Sequence, residues 1–132
     1  MLIIKLYVLT LLPFLVLDGI WLGTVARDFY ASQLGSLLRS NINYFVAGSF
    51  YLTYVGGLVF FAVAPALASD SVQIALLNGS LLGLVAYGTY NMTNLATLRD
   101  WPLWMSVVDT FWGGALTAAS ASVGMLVTRA LS

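Results

Sequence analysis

The sequence predicts an all-α fold, an integral-membrane four-helix antiparallel bundle, as a single transmembrane domain over residues 1–132. Three observations carry this. First, 61% of the residues are hydrophobic and only 8% charged, with mean hydropathy +0.95. A soluble domain carries about 25% charged residues, so this chain cannot cover a water-facing surface. Second, it contains four apolar runs, each reaching the roughly 20 residues that a helix needs to cross a bilayer. Third, the runs are continuously apolar instead of alternating, which argues against a β-barrel. The five basic and five acidic residues cancel, and without a basic patch the chain is not a nucleic-acid binder. It has no Cys and no His, so disulfide and thiolate chemistry are excluded and the usual zinc and haem ligands are missing. No cofactor and no metal is expected.

The first span covers residues 2–25. Lys5 near its start can snorkel to the interface, and Pro13 introduces a kink that a membrane helix tolerates. A cleaved signal peptide is the competing reading, and Asp18 inside the run argues against it. The connection Ala26 to Asn43 is the longest. Phe29, Tyr30, Leu34, Leu37 and Leu38 give it an apolar side, so an interfacial helix within 28–40 is expected at headgroup level.

The second span covers 44–66, with Tyr44, Tyr51 and Tyr54 in its first half and Pro65 near its end. A tight turn containing Asp70 leads to the third span, 72–94. There Gly79 and Gly83 form a GxxxG pair that admits close approach of another helix. The fourth span, 104–128, repeats small residues every four positions (Gly114, Ala118, Ser122), a helix-packing stripe.

With four spans, the first and third connections share one side of the membrane. Asp18, Tyr51, Tyr54, Asn91, Asn94 and Asp109 all lie toward that side. At 1.5 Å per residue both aspartates sit roughly 8–12 Å below the rim. Tyr87, Tyr90, Asn91 and Asn94 fall at i, i+3, i+4 and i+7, hence on one helical face. Pointed at lipid, that face would be costly. The expectation is a polar pocket open to one side, roofed by Arg27, Arg39 and Arg99, above an apolar half. Two patterns recur. Asp18-Gly-Ile-Trp21-Leu-Gly23 matches Asp109-Thr-Phe-Trp112-Gly-Gly114, and Tyr51-Leu-Thr53-Tyr54 matches Tyr87-Gly-Thr89-Tyr90. They pair helix 1 with 4 and helix 2 with 3, whereas a tandem duplication would pair 1 with 3 and 2 with 4. The similarity is therefore shared chemistry around one pocket, or chance.

At LDGIWLG, FYLTYVGGLVFF, YGTYNMTNLATLRDWP and VVDTFWGG the chain resembles a bacterial family of predicted inner-membrane proteins, domain of unknown function 2177. The resemblance covers nearly the whole chain, and YNMTNLATLRDWP is its most specific part. It implies a small four-helix protein of the bacterial inner (cytoplasmic) membrane and supplies no reaction.

Each candidate residue has a structural as well as a functional reading. Asp18 and Asp109 either hold helices together through hydrogen bonds or form an ionisable pair at a binding or proton site. Tyr87, Tyr90, Asn91 and Asn94 are helix glue or pocket lining. Trp21, Trp101, Trp104 and Trp112 suit an interfacial belt, most clearly Trp101 and Trp104, which flank the turn, and least the deeper Trp112; the alternative places Trp21 and Trp112 in the pocket, each on one face with an aspartate. Arg99 either anchors the interface or clamps an anionic head. Three functions follow: a protein that binds or handles a lipid-like or other amphiphilic small molecule, a small proton-coupled solute transporter acting as a homodimer, and a membrane enzyme using the paired aspartates. The first is preferred, because one polar half above one apolar half suits an amphiphile better than a through-path. Membrane lipids, an amphiphilic ligand and a second copy of the chain are the expected partners.

Overall fold

A computed structural model describes residues 2–132. It contains five helices: α1 (Leu2–Val25), α2 (Arg27–Leu34), α3 (Tyr44–Ala68), α4 (Val72–Thr97) and α5 (Leu103–Ala130). Four of them are long and apolar enough to cross a membrane, and no strand occurs among the described residues. The fold is all-α. Large apolar side chains such as Leu12, Val16, Phe45, Phe60, Leu77, Val85 and Phe111 are exposed around the outside. Water would not tolerate that surface; lipid is its natural solvent.

The helices close into an antiparallel ring in chain order, and α5 is its spine. Half of α5's apolar window is buried, against a third or less in the other spans. Its small residues explain this. Gly83 of α4 lies so close to α5 that an added Cβ would stand 2.7 Å from the Gly113 carbonyl carbon and 2.8 Å from the Gly114 Cα. One turn earlier, a Cβ on Gly79 would meet the Ala118 Cα at 3.0 Å. Thr10 of α1 packs on Gly124 in the same way, its Cα 3.1 Å from where a Cβ would be. Away from the long connection the interior is dry, filled by Phe14, Leu58, Val63, Leu116 and Met125, all 1% exposed or less.

α3 is the exception to close packing. Pro65 has no N–H to donate and crowds the carbonyl four residues back. That carbonyl, Phe61, instead accepts a hydrogen bond from Asn78 Nδ2 of α4 at 3.1 Å. The turn before it, Val59–Val63, is wound as a π-helix. From there to Ala68 the helix lies against α4 and α5, whereas the backbone of its first half, Tyr44–Leu58, leans on α1 and reaches α4 and α5 through side chains such as Tyr54. Tyr7 on α1 donates to the Leu52 carbonyl at 2.6 Å. The result is a wedge between α3 and α4 that widens toward the side of the long connection.

The connections are set by local chemistry. Asn43 caps α3, its Oδ1 accepting from the Val46 N–H at 3.1 Å. Asp70 and Asp100 adopt positive φ (49° and 64°) and reverse the chain in the two tight turns, a backbone region that Asp tolerates better than most residues. Arg129 pairs with Asp70 at 2.7 Å and Lys5 donates to the Leu131 carbonyl at 2.9 Å, tying the far end of the bundle. Both contacts are exposed and contribute little.

Gly83→Ala should lower stability by about 1–3 kcal/mol, the usual cost of overpacking, because the added carbon meets backbone that cannot turn aside. Thermal unfolding in detergent measures it. Gly57→Ala is the control: its Cβ meets nothing within 4 Å, so its midpoint should not fall. Equal midpoints for the two variants would refute glycine contact as the basis of the α4–α5 pairing.

Candidate functional site

Asp18 lies on α1 one turn before a π-wound segment, Trp21–Val25, and is 5% exposed. Tyr51 of α3 donates to its Oδ2 at 2.8 Å, and the Trp112 indole of α5 donates to its Oδ1 at 3.1 Å. Asp109, half-buried on α5, is met in the same manner. Tyr30 of α2 donates to its Oδ1 at 2.6 Å, and Asn91 Nδ2 of α4 to its Oδ2 at 2.8 Å. Every carboxyl oxygen therefore has one donor, each donor comes from another helix, and all five helices are joined.

The two D-x-x-W motifs are crossed. Trp112 follows Asp109 in sequence but serves Asp18. Trp21 follows Asp18 and donates to the Tyr30 hydroxyl at 2.9 Å, which passes the bond on to Asp109. The two indoles stack between them, centroids 4.4 Å apart and planes 11° from parallel. The shared spacing thus has a structural meaning: each indole reaches across to the other helix's acid, one directly and one through a phenol.

Burial, and then the hydrogen bond to Asp109, push the Tyr30 hydroxyl well above the usual phenol range. The phenol stays protonated and stays a donor. Because its folded-state value is raised, the stability it contributes is fully present below the ordinary phenol value of about 10 and is lost as pH rises beyond it.

Between these groups lies a cavity of about 320 Å³. Asp18, Trp21 and Leu22 of α1, Asp109 of α5 and Tyr30 of α2 line one part of it. Phe50, Tyr51 and Tyr54 of α3 face Ala86, Tyr87 and Tyr90 of α4 across it. Tyr87 is seated because Gly113 has no side chain: any Cβ there would collide with the Tyr87 ring. The Tyr54 hydroxyl is bonded to Thr117 at 2.9 Å, whereas those of Tyr87 and Tyr90 find no partner among the described residues. Phe50 and Tyr90, on opposite edges of the α3–α4 wedge, are 62% and 55% exposed. The cavity therefore reaches the outer surface of the bundle between α3 and α4.

Of the residues singled out from sequence, Asp18, Trp21, Tyr51, Tyr54, Tyr87, Tyr90 and Asp109 line this cavity. Asn91 and Trp112 stand behind it as donors to the two acids. Asn94 and Arg99 are not part of the lining. Asn94 is half-buried a turn further along α4, where its backbone carbonyl accepts from Leu98 N–H at 2.8 Å. Arg99 is exposed in the turn that Asp100 reverses. The arginine roof is absent: neither Arg27 nor Arg39 lines the cavity, because both are exposed and the buried face of α2 turns Tyr30 inward instead. Tyr30 is the residue the sequence reading counted only as part of an apolar side. Its partner Asp109 is 79 positions away, and no local spacing connects them. Among the described residues no three His, Cys, Asp or Glu side chains converge on a metal position.

Fold and site together define a small α-helical integral membrane protein with an aromatic, acid-bearing cavity between its helices. The chain belongs to the family described as predicted membrane protein (DUF2177), whose sequence model matches residues 3–126. No curated relative and no solved structure matches it.

Tyr30→Phe removes one donor from Asp109 and the only acceptor of the Trp21 indole. It should cost about 1–3 kcal/mol, the penalty for leaving a half-buried polar group unmet, and it should shift the tryptophan emission. Equilibrium unfolding with fluorescence readout tests both. A variant as stable as wild type with unchanged emission would show that the bridge is not formed.

Proposed function

We propose that this protein binds a lipid-like amphiphile within the bacterial inner membrane, its head at Asp18 and Asp109 and its tail leaving between α3 and α4. The observation that carries this is the acid-bearing aromatic cavity that reaches the bundle surface between α3 and α4. Its lining holds two acids, its walls are aromatic, and in this reading its edge at Phe50 and Tyr90 meets the hydrocarbon. About 320 Å³ is near the lower end of ligand-site volumes, which run from about 300 to 1,000 Å³. That is room for a head and the first carbons of a chain, with the remainder in the bilayer. The unpartnered hydroxyls of Tyr87 and Tyr90 are available to a head group without breaking any internal bond.

A proton-coupled transporter would need polar groups through the other half of the bundle as well. There Leu58, Val63, Leu116 and Met125 fill most of the interior, and the buried polar side chains Thr10, Ser120 and Thr128 carry hydroxyls and no ionisable group, which favours a binding site over a proton path.

Native mass spectrometry of the detergent-purified protein provides the test. Wild type should retain a bound species enriched over the bulk membrane extract. Ala86→Phe, which fills the cavity from its half-exposed wall, should lose that species while keeping the wild-type unfolding midpoint. A ligand-free wild type, or bound lipid with the bulk composition, would refute the reading.

A further inference from the structure

The amphiphile reading leaves the head group open, and the charges around the cavity narrow it. Neither cavity carboxyl meets a basic side chain. The ion pairs among the described residues are Arg27–Asp28 and Arg129–Asp70, both exposed at the ends of the bundle. No Lys or Arg is among the residues lining the cavity. A phosphate or carboxylate head would therefore enter a low-dielectric site facing two acids and no counter-charge, a costly arrangement.

The spare hydrogen-bonding capacity has the opposite preference. Each carboxyl oxygen accepts one bond from the protein and can accept another. The acids thus keep spare acceptor sites, and the free hydroxyls of Tyr87 and Tyr90 can accept as well as donate. The lining adds the aromatic rings of Trp21, Tyr51, Tyr54 and Tyr87, a residue class whose quadrupoles attract a cation.

We propose that the cavity selects an amphiphile whose head is a cationic amine, over neutral or anionic heads of the same chain length. The proposal rests on the amphiphile reading and deepens it. An ammonium brings up to three donors to a site rich in acceptors, and it supplies the positive charge that Asp18 and Asp109 lack within the chain. The ammonium can come from a membrane aminolipid or from a free long-chain amine.

The full chain in phosphatidylcholine nanodiscs would be titrated with dodecylamine, dodecanol and dodecyl phosphate, following tryptophan fluorescence against empty discs. Dodecylamine should bind at least about tenfold tighter than dodecanol, as expected for charge-assisted bonds, with dodecyl phosphate weakest. Asp109→Asn should narrow the gap in affinity between dodecylamine and dodecanol. The comparison of three heads on wild type does not depend on any variant folding. Repeating the amine titration in discs containing phosphatidylethanolamine separates the two sources: weakened binding shows that the aminolipid competes, and unchanged binding assigns the site to free amines. Dodecanol or dodecyl phosphate binding as tightly as dodecylamine would overturn the amine proposal and leave the amphiphile reading standing. If none of the three bound, both would fall.

Discussion

Two carboxyl groups inside an apolar bundle must be met by donors from the protein, because hydrocarbon provides none. Much of this structure follows from that constraint. Tyr51 and Trp112 reach Asp18 from α3 and α5; Tyr30 and Asn91 reach Asp109 from α2 and α4. Because every donor comes from a different helix than its acceptor, satisfying the acids also sets how the helices are placed. The short α2 belongs to this scheme. It is not a solvated linker, since its Tyr30 completes one acid's bonding and lines the cavity.

Packing supplies the other half of the explanation. Lipid tails are as apolar as leucine, so membrane helices associate through close contact more than through expulsion of water. Gly79, Gly83, Gly113, Gly114 and Gly124 permit that contact on α5. α3 has no comparable seam with α4 in its first half, and the π-wound turn ahead of Pro65 lets it diverge. The cavity is the space left where tight glycine packing on one side meets a diverging helix on the other. π-wound turns occur at both places where the chain changes course around it, Trp21–Val25 and Val59–Val63, in keeping with their frequency at functional sites.

Legibility in the sequence followed the range of the interactions. The four spans are stretches of uniform hydropathy, and Tyr87, Tyr90 and Asn91 share a face by helical spacing, so both could be read locally. The repeated D-x-x-W pattern was visible, but not that its indoles serve each other's acids. Asn94 continues the same face yet lies a turn beyond the cavity, and Arg99 is turned out to the surface by the left-handed Asp100. Tyr30 was hidden for the converse reason: it looks like one more apolar residue of an amphipathic segment until Asp109 is placed next to it.

By itself, then, the sequence determined the solvent, the number of spans and the side of the membrane on which polar groups collect. These depend on composition and on the fixed rise and pitch of a helix, which are the same in any arrangement. The tertiary structure alone decided which donor meets which acid, that the first half of α3 diverges from α4, and that a cavity reaches the bundle surface through their gap. Those depend on contacts between residues far apart in the chain, where a missing Cβ at Gly113 or a proline at position 65 acts only through what it packs against.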